Sequence, residues 1–236
     1  MLNDPRRALR RFELLRALRN EGVNSFSAHR ADELVTPTRW PVFVRGEHDH
    51  EGNASALLES GEELAAVLAR DRDAGIEPRT RLIVEFAETR ADDGYYRKYG
   101  VFRIGERYVR RHMFFSRDWM VKLCEPPGDW ALEEERAFID SDADAEAVHA
   151  VFERAGIEYG RIDYSRIGDG IEVWEINTNP MIVNAETRAI ESRWALNVEV
   201  IARISEGMLE LARRGEGAPR IPIRDLRGVR PPFWRL

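Results

Sequence analysis

The sequence has little cysteine, no long apolar run and no repeat. Cys124 is the only cysteine in 236 residues, which excludes an intrachain disulfide and a cysteine-rich zinc site and favours a reducing compartment. No apolar run is long enough to span a bilayer, and the charged N-terminus lacks the apolar core of a secretory signal. We therefore expect a cytoplasmic protein without membrane segments.

The charge balance is mildly acidic. Lys and Arg number 36 and Asp and Glu 42, which gives a net charge of −6. This balance argues against a general nucleic-acid or membrane-surface binder, although it allows local basic clusters. With 43% hydrophobic residues, the chain is typical of a globular protein with one large domain or two small lobes.

Local patterns predict both helices and strands. Asp4-Pro5 is typical of a helix start, and Gly22 is placed to end that helix. Ser60 and Glu63 have the spacing of a capping box at the start of a second helix. The other predicted segments are strands at 41–45 and 81–86, hairpins with strands at 96–104 and 107–113 and at 157–163 and 171–176, and helices at 145–155 and about 186–214.

Residues 46–53 are polar and bounded by glycines, which predicts a mobile loop. His48 and His50 have the spacing of a metal-binding pair. Because they lie beside two acidic residues on a solvated loop, we favour a structural or substrate-facing role over metal binding.

The second hairpin places charged and amide side chains opposite one another. Centring its predicted turn, 168–170, on the middle residue pairs residues whose numbers sum to 338. Asp163 then faces Glu175, and Arg161 faces Asn177. The four polar groups should therefore converge on one face of the hairpin.

Two opposed carboxylates repel one another unless positive charge lies between them. Alternation places Glu175 and Asn177 on the same face as Val173, and oxygen ligands of this kind suit magnesium. The alternative is an exposed hairpin with solvated carboxylates, because a slip of one residue would move Glu175 away from Asp163.

Gly-Arg-Ile-Asp at 160–163 and Glu-Ile-Asn-Thr-Asn-Pro at 175–180 together resemble the metal-binding end of the ATP-grasp ligases. That family includes D-alanine–D-alanine ligase and the ribosomal-protein glutamate ligase. The resemblance implies an α+β ATP-grasp fold, in which two lobes with antiparallel sheets enclose a nucleotide cleft. We expect residues 1–87 to form the smaller lobe, with the N-terminal helix, and residues 88–236 the larger lobe.

The same resemblance implies roles for individual residues. Asp163, Glu175 and Asn177 are expected to hold two Mg²⁺ ions, or Mn²⁺, that bridge the phosphates of ATP. Arg161 corresponds to an arginine that handles a substrate carboxylate or the transferred phosphoryl group. Arg45 stands where the family usually has a lysine, and it would bind phosphate as a planar fork instead of a point charge. We expect both arginines to be catalytic.

Residues 85–88 resemble the hinge that receives adenine, although Phe86 alone would suggest a core aromatic residue. The basic first hairpin corresponds to residues that contact the triphosphate, and alternation lets only one set of them face the cleft. Segment 46–53 resembles the lid over the phosphates, whereas Lys122 reads as a surface lysine. The expected nucleotide-binding residues are Arg45, Glu85, Phe86, Ala87, Glu88, Lys98 and Arg111.

The resemblance implies an ATP-dependent ligase that joins a small-molecule or peptide carboxylate to an amine through an acylphosphate. A nucleotide-binding module without turnover is the alternative, and an interaction domain without a ligand is a third hypothesis. Asn184, Arg188 and Arg193 are candidates to face the acceptor. Family members also carry a further N-terminal lobe that helps to shape the substrate pocket. Either this chain is shortened relative to them, or a second copy in a homodimer or a partner chain completes the site.

Overall fold

The strands form two antiparallel sheets with helices packed around them, which confirms the predicted α+β class. None of the described helices is long and apolar enough to cross a bilayer. The computed structural model describes residues 2–33, 35–48, 54–123, 125–183 and 188–215.

The smaller sheet has the strand order β1-β3-β2. Helix α2 flanks it and begins as predicted, because the Ser60 hydroxyl accepts a hydrogen bond from the Glu63 backbone N–H at 3.2 Å. Gly75 follows the helix with a φ of +74°, which suits glycine. The elements of this part are α1 (Arg11–Asn20), β1 (Ala28–Arg30), β2 (Val42–Gly46), α2 (Gly61–Asp73) and β3 (Arg81–Glu85).

The larger sheet has the order β5-β4-β6-β7. Its apolar residues and those of the helices after β5 form the largest core cluster in the described part of the chain. The first strand of the predicted hairpin and helix 145–155 are confirmed to the residue. The elements are β4 (Tyr96–Ile104), β5 (Arg107–Ser116), α3 (Asp129–Ile139), α4 (Ala145–Ala155), β6 (Tyr159–Ile167), β7 (Gly170–Asn177) and α5 (Glu191–Arg214).

The β6–β7 register agrees with the predicted pairs, but for a different reason. Only two residues separate Ile167 from its partner Gly170, whereas the prediction centred the turn on residue 169. The pairs next to the turn are therefore shifted by one residue from the predicted pairs. A β-bulge at Trp174 then inserts one extra residue and restores the opposition of Asp163 and Glu175.

The bulge also changes which face each side chain occupies. Val173 is fully buried in the core, whereas Trp174, Glu175 and Asn177 line a cavity on the other side. The prediction that Val173 shares a face with Glu175 was therefore wrong, because a bulge interrupts the two-residue alternation.

Asn24 supplies hydrogen bonds on the outer side of β7, next to the bulge. Its Oδ1 accepts from the Val173 backbone N–H at 2.9 Å, and its Nδ2 donates to the Val173 carbonyl at 3.0 Å. Because Asn24 and Val173 are both buried, water cannot replace these bonds. The asparagine amide therefore takes the place of a neighbouring strand at the edge of the sheet.

Helix α1 begins at Arg11, not at Asp4-Pro5 as predicted. Asp4 and Pro5 instead open a turn in which the Arg7 and Ala8 N–H groups donate to the Asp4 carbonyl. The Asn3 side chain holds this turn against the start of β6, where its Oδ1 accepts from two backbone N–H groups at 2.8 and 2.9 Å. Tertiary contacts thus override the local helix signal.

Helix α1 packs on both sheets. Leu14 and Leu18 belong to the core of the larger sheet, whereas Phe12 and Leu15 belong to a second cluster with residues of the smaller sheet. The helix that we assigned to the smaller lobe therefore lies between the two. The boundary after residue 87 falls between the two sheets.

Strand β1 and helix α3 were not predicted, and several element boundaries differ from the predicted ones. Strand β1 has only three residues, and α3 follows a glycine without a side-chain cap, so neither had a strong sequence pattern. The last helix begins at Glu191 instead of about residue 186.

Asn24→Ala should lower the free energy of unfolding by about 2–3 kcal/mol, because it removes two buried hydrogen bonds and leaves the Val173 backbone unsatisfied. Urea unfolding followed by circular dichroism measures this loss. Asn20→Ala, at the exposed end of α1, is the control and should change stability little. Equal effects of the two substitutions would contradict the role assigned to Asn24.

Candidate functional site

A cavity of about 610 Å³ opens between residues of the two sheets. Strand β2 and the segment after β3 form one wall, and strands β4, β6 and β7 form the opposite wall. The residues that line it are Phe43, Arg45, Phe86, Ala87, Thr89, Tyr96, Lys98, Trp119, Met120, Val121, Lys122, Leu123, Arg161, Asp163, Ser165, Trp174, Glu175 and Asn177.

One part of the cavity wall is aromatic. The Trp119 ring lies 5.0 Å from that of Phe43 and 5.9 Å, edge-on, from that of Phe86. Trp174 is held by stacking on Phe26 at 5.3 Å, and its Nε1 donates to the Ser165 hydroxyl at 3.0 Å. Flat apolar surfaces of this kind suit a planar heterocycle.

The rest of the wall carries the charged residues. Arg161 donates two hydrogen bonds to the Asp163 carboxylate, from Nε at 2.6 Å and from Nη2 at 3.0 Å, and Lys98 Nζ lies 3.9 Å from the same group. Burial lowers the pKa of Arg161, but Asp163 outweighs it, so the pKa is raised and the guanidinium stays charged.

Glu175 is held by two arginines from the other side of the cleft. Its Oε2 accepts from Arg45 Nη2 at 2.9 Å and from Arg11 Nη2. Burial by itself would raise the pKa of Glu175, but Arg45, Arg11 and Lys98 lower it to about 2. The positive charge that two opposed carboxylates require is thus supplied by side chains.

The charge of this site is opposite to that of the chain. Among the described residues that line the cavity, four basic side chains face two acidic ones, although the whole chain has a net charge of −6. The cleft therefore attracts anions. The basic residues are Arg45, Lys98, Lys122 and Arg161.

The residues present fit a hard divalent cation. Asp163, Glu175 and Asn177 offer only carboxylate and amide oxygens, the donors that magnesium prefers. The positive excess around them disfavours a bare cation but not one that arrives with a polyanion. The donor set thus suits a metal that enters together with its anionic ligand.

Comparison with solved structures finds D-alanine–D-alanine ligase from Bacillus anthracis complexed with ATP, with a TM-score of 0.51 and 13% identity. The match covers 88% of this chain and 68% of that one. The chain has the ATP-grasp fold. No protein-family model matches the sequence, and no curated protein sequence matches it either.

Two other structures align at lower similarity. An L-amino acid ligase from Bacillus licheniformis gives a TM-score of 0.47 at 13% identity, and the match covers 78% of this chain and 43% of that chain. A RimK domain protein ATP-grasp from Sphaerobacter thermophilus gives 0.45 at 15% identity, with 84% and 67% covered.

The expected ATP-grasp hinge residues differ in position. Phe86 and Ala87 line the cavity, whereas Glu85 points away from it. The Glu85 carboxylate accepts from the backbone N–H groups of Ser27, Thr38 and Arg39 at 2.9–3.1 Å. Burial raises the pKa of Glu85, but these hydrogen bonds lower it overall, so the side chain stays ionised and holds the loop in place.

Glu88 and Arg111 lie outside the cavity lining. Glu88 is exposed and pairs with Arg90 at 3.2 Å. Arg111 is buried and donates to Asn197 Oδ1 at 2.7 Å and to the Ile182 carbonyl at 3.0 Å. Burial, with the nearby cationic arginines, lowers the pKa of Arg111 to about 10. Of the two nucleotide contacts expected from the first hairpin, Lys98 lines the cavity and Arg111 does not.

His112 lies on the same line across the sheet as Gly100, Asp163 and Glu175. Its ring stacks on Phe114 at 3.8 Å and covers Gly100, where an added Cβ would come within 2.6 Å of the ring. Burial and nearby cations hold the pKa of His112 well below its usual value, so the ring is neutral.

Two of the candidate acceptor residues, Arg188 and Arg193, do not line the cavity. Arg193 forms a fully buried pair with Glu135, and Arg188 stacks over Trp194 at 5.6 Å. Asn184, His50 and the lid residues 49–53 lie outside the described residues. His48 is exposed.

The sequence did not single out Arg11, Trp119 or Trp174 as site residues. Arg11 meets Glu175 across 164 positions of the chain, and no local pattern connects them. Trp174 lies one position before the predicted metal ligand, but strict alternation would have turned it away from the cleft. Only the bulge brings it to the cavity.

Glu175→Gln should lower the free energy of unfolding at pH 7 by about 3 kcal/mol, because the folded state shifts the pKa of Glu175 from 4.5 to about 2. A depressed carboxyl pKa stabilises the fold above pH 4.5 and loses that effect as the pH falls toward 2. The gap between wild type and variant should therefore shrink below pH 4.5.

Urea unfolding at several pH values between 7 and 3.5 measures this gap. Glu62→Gln, at an exposed position in α2, is the matched control and should show little difference at any pH. A gap for Glu175→Gln that stays constant over this range would contradict the assigned electrostatics.

Proposed function

We propose that the protein binds ATP with Mg²⁺ and uses it as a carboxylate–amine ligase. The observation that carries this proposal is the division of a single cavity into an aromatic part and a charged part. Phe43, Phe86 and Trp119 provide apolar surface for a planar base, and Lys98 and Arg161 lie beside the carboxylates, where a triphosphate would be neutralised.

The reaction fits a site that offers charge stabilisation but no protein nucleophile. A substrate carboxylate oxygen attacks the γ-phosphorus of ATP, and ADP leaves. An amine nitrogen then attacks the acyl carbon of the acylphosphate, and inorganic phosphate leaves as the amide bond forms. Arg161 and Arg45 would stabilise the negative charge that spreads over the transferring phosphoryl group.

Asp163, Glu175 and Asn177 would hold the metal. Bound Mg²⁺, or Mn²⁺ in its place, would neutralise part of the charge of the phosphates. Lys98 lies 3.9 Å from Asp163, close enough to bind a phosphate next to the metal. We further propose that the carboxylate and amine are small molecules or peptides and that the protein acts in the cytoplasm.

A nucleotide-binding role without turnover is a second candidate. It is favoured by Arg45, which replaces the lysine expected from the family resemblance and is bonded to Glu175. An arginine that stays on this carboxylate would leave the transferring phosphoryl group with less stabilisation. ADP and phosphate release with a panel of amino acids and peptides separates the two candidates: turnover with any pair supports the ligase, and tight binding without product supports the module.

Mg²⁺ alone should bind weakly, whereas ATP and Mg²⁺ together should bind well, because the cavity has an excess of positive charge. Isothermal titration calorimetry measures both, and a change in tryptophan fluorescence, to which Trp119 and Trp174 of the cavity wall contribute, gives an independent signal. Tight binding of Mg²⁺ without nucleotide, or no binding of ATP, would contradict the proposed site.

Asp163→Asn should reduce the contribution of Mg²⁺ to ATP binding by about tenfold or more, because loss of one charged ligand weakens a hard-cation site. ATP binding without Mg²⁺ should persist. Asp169→Asn, in the exposed turn of the same hairpin, is the control and should behave as wild type. If Mg²⁺ strengthened ATP binding equally in wild type, Asp163→Asn and Asp169→Asn, Asp163 would not be a metal ligand.

A further inference from the structure

One guanidinium joins a residue of the cleft to the end of strand β2. Arg11, in the first turn of α1, donates from Nη1 to the carbonyls of Gly46 at 2.8 Å and Glu47 at 3.0 Å. Its Nη2 donates to Glu175 Oε2. The Arg11 side chain is only 8% exposed, so these contacts are largely shielded from water. Arg11 therefore connects an expected metal ligand to the end of strand β2.

The backbone that carries Arg11 is firmly placed. Leu14 and Leu18 of the same helix lie in the core of the larger sheet, and Phe12 and Leu15 lie in the cluster of the smaller sheet. Because α1 is packed on both sides, the helix itself cannot move easily. If Glu175 moves, the Arg11 side chain or the Gly46–Glu47 segment must therefore move with it.

Other contacts also hold the segment on the other side of Arg11, because Gly46 ends β2 and pairs with Arg81 of β3. The Glu47 N–H donates to the Thr80 carbonyl at 2.9 Å, and the Glu47 carboxylate accepts from Arg30 at 2.8 and 3.0 Å. The two carbonyls of Gly46 and Glu47 face Arg11 instead. Loss of the guanidinium would leave both carbonyls without this donor.

A divalent cation and the arginines compete for the same carboxylate. Glu175 Oε2 already accepts from Arg11 and Arg45. A metal ion that takes an oxygen of Glu175 carries the same sign of charge as both guanidiniums, so metal binding weakens the arginine contacts. Arg11 is not among the residues that line the cavity, but it contacts Glu175 and so lies next to the part where the phosphates are proposed to bind.

We propose that Arg11 is a positioning residue that couples metal binding at Glu175 to the order of the Gly46–Glu47 segment. Without nucleotide, Arg11 holds Glu175 and this segment together. Binding of Mg²⁺ with ATP weakens the Arg11–Glu175 contact and loosens the segment. Because such coupling is reciprocal, an ordered segment in turn weakens the binding of Mg²⁺. The inference rests on the proposed function, because it assumes that Glu175 binds the metal.

The first test is the effect of Arg11→Gln on ATP binding with and without Mg²⁺, measured by calorimetry. Without Mg²⁺, ATP should bind about threefold to tenfold more weakly, because one cation near the phosphates is lost. The factor by which Mg²⁺ strengthens ATP binding should rise, because a competitor for Glu175 has gone. A purely structural defect would lower both quantities.

Two further variants complete this test. Arg11→Lys retains the charge but not the fork, so it should bind Mg²⁺-free ATP nearly as wild type does. Arg16→Gln, on the exposed side of the same helix, should match wild type in both measurements.

The second test is hydrogen exchange at the Glu47 amide. In wild type, exchange should be slow without nucleotide and at least several-fold faster with ATP and Mg²⁺. In Arg11→Gln it should be fast in both states, and in Arg16→Gln it should follow wild type. Glu47 exchange that responds to neither the substitution nor the nucleotide would overturn the inference.

The two proposals fail in different ways. Absence of ATP binding by wild type overturns the proposed function, and the metal coupling with it. Normal binding of ATP and Mg²⁺ by wild type, with the same Mg²⁺ enhancement in Arg11→Gln, overturns the role of Arg11 alone.

Discussion

The neutralisation of Asp163 and Glu175 is the interaction on which this cleft depends. The two carboxylates face one another across β6 and β7, and burial makes their mutual repulsion costly. Arg161 neutralises Asp163, and Arg11 and Arg45 neutralise Glu175. Basic side chains from α1, β2 and β6 therefore lie together around the two carboxylates. The contacts of Glu175 with Arg45 and Arg11 also join β7 of the larger sheet to β2 of the smaller sheet and to α1.

Secondary structure and pairing followed well from the sequence where the patterns were local. The first hairpin has long alternating strands around Gly105, and α4 has a regular apolar face that ends at glycine. The opposition of Asp163 and Glu175 was also predicted, yet through two errors that cancelled. The turn is shorter than expected, and the bulge at Trp174 adds back the missing residue.

The remaining site residues depend on contacts between distant parts of the chain. Arg11 reaches Glu175 because α1 packs between the two sheets, an arrangement that no local sequence pattern predicts. Glu85 illustrates the opposite case. It belongs to the hinge segment by position, but its carboxylate is used to hold the loop at Thr38. Sequence position alone could not separate these two roles.

The chain has the fold of ATP-grasp proteins. Because one fold hosts many activities, the function has to be tested at the site itself. The most direct measurement of the central claim is a crystal structure with Mg²⁺ and a non-hydrolysable ATP analogue. We expect the base between Phe43, Phe86 and Trp119 and the metal at Asp163, Glu175 and Asn177. A nucleotide bound elsewhere, or a metal that leaves these three residues untouched, would contradict it.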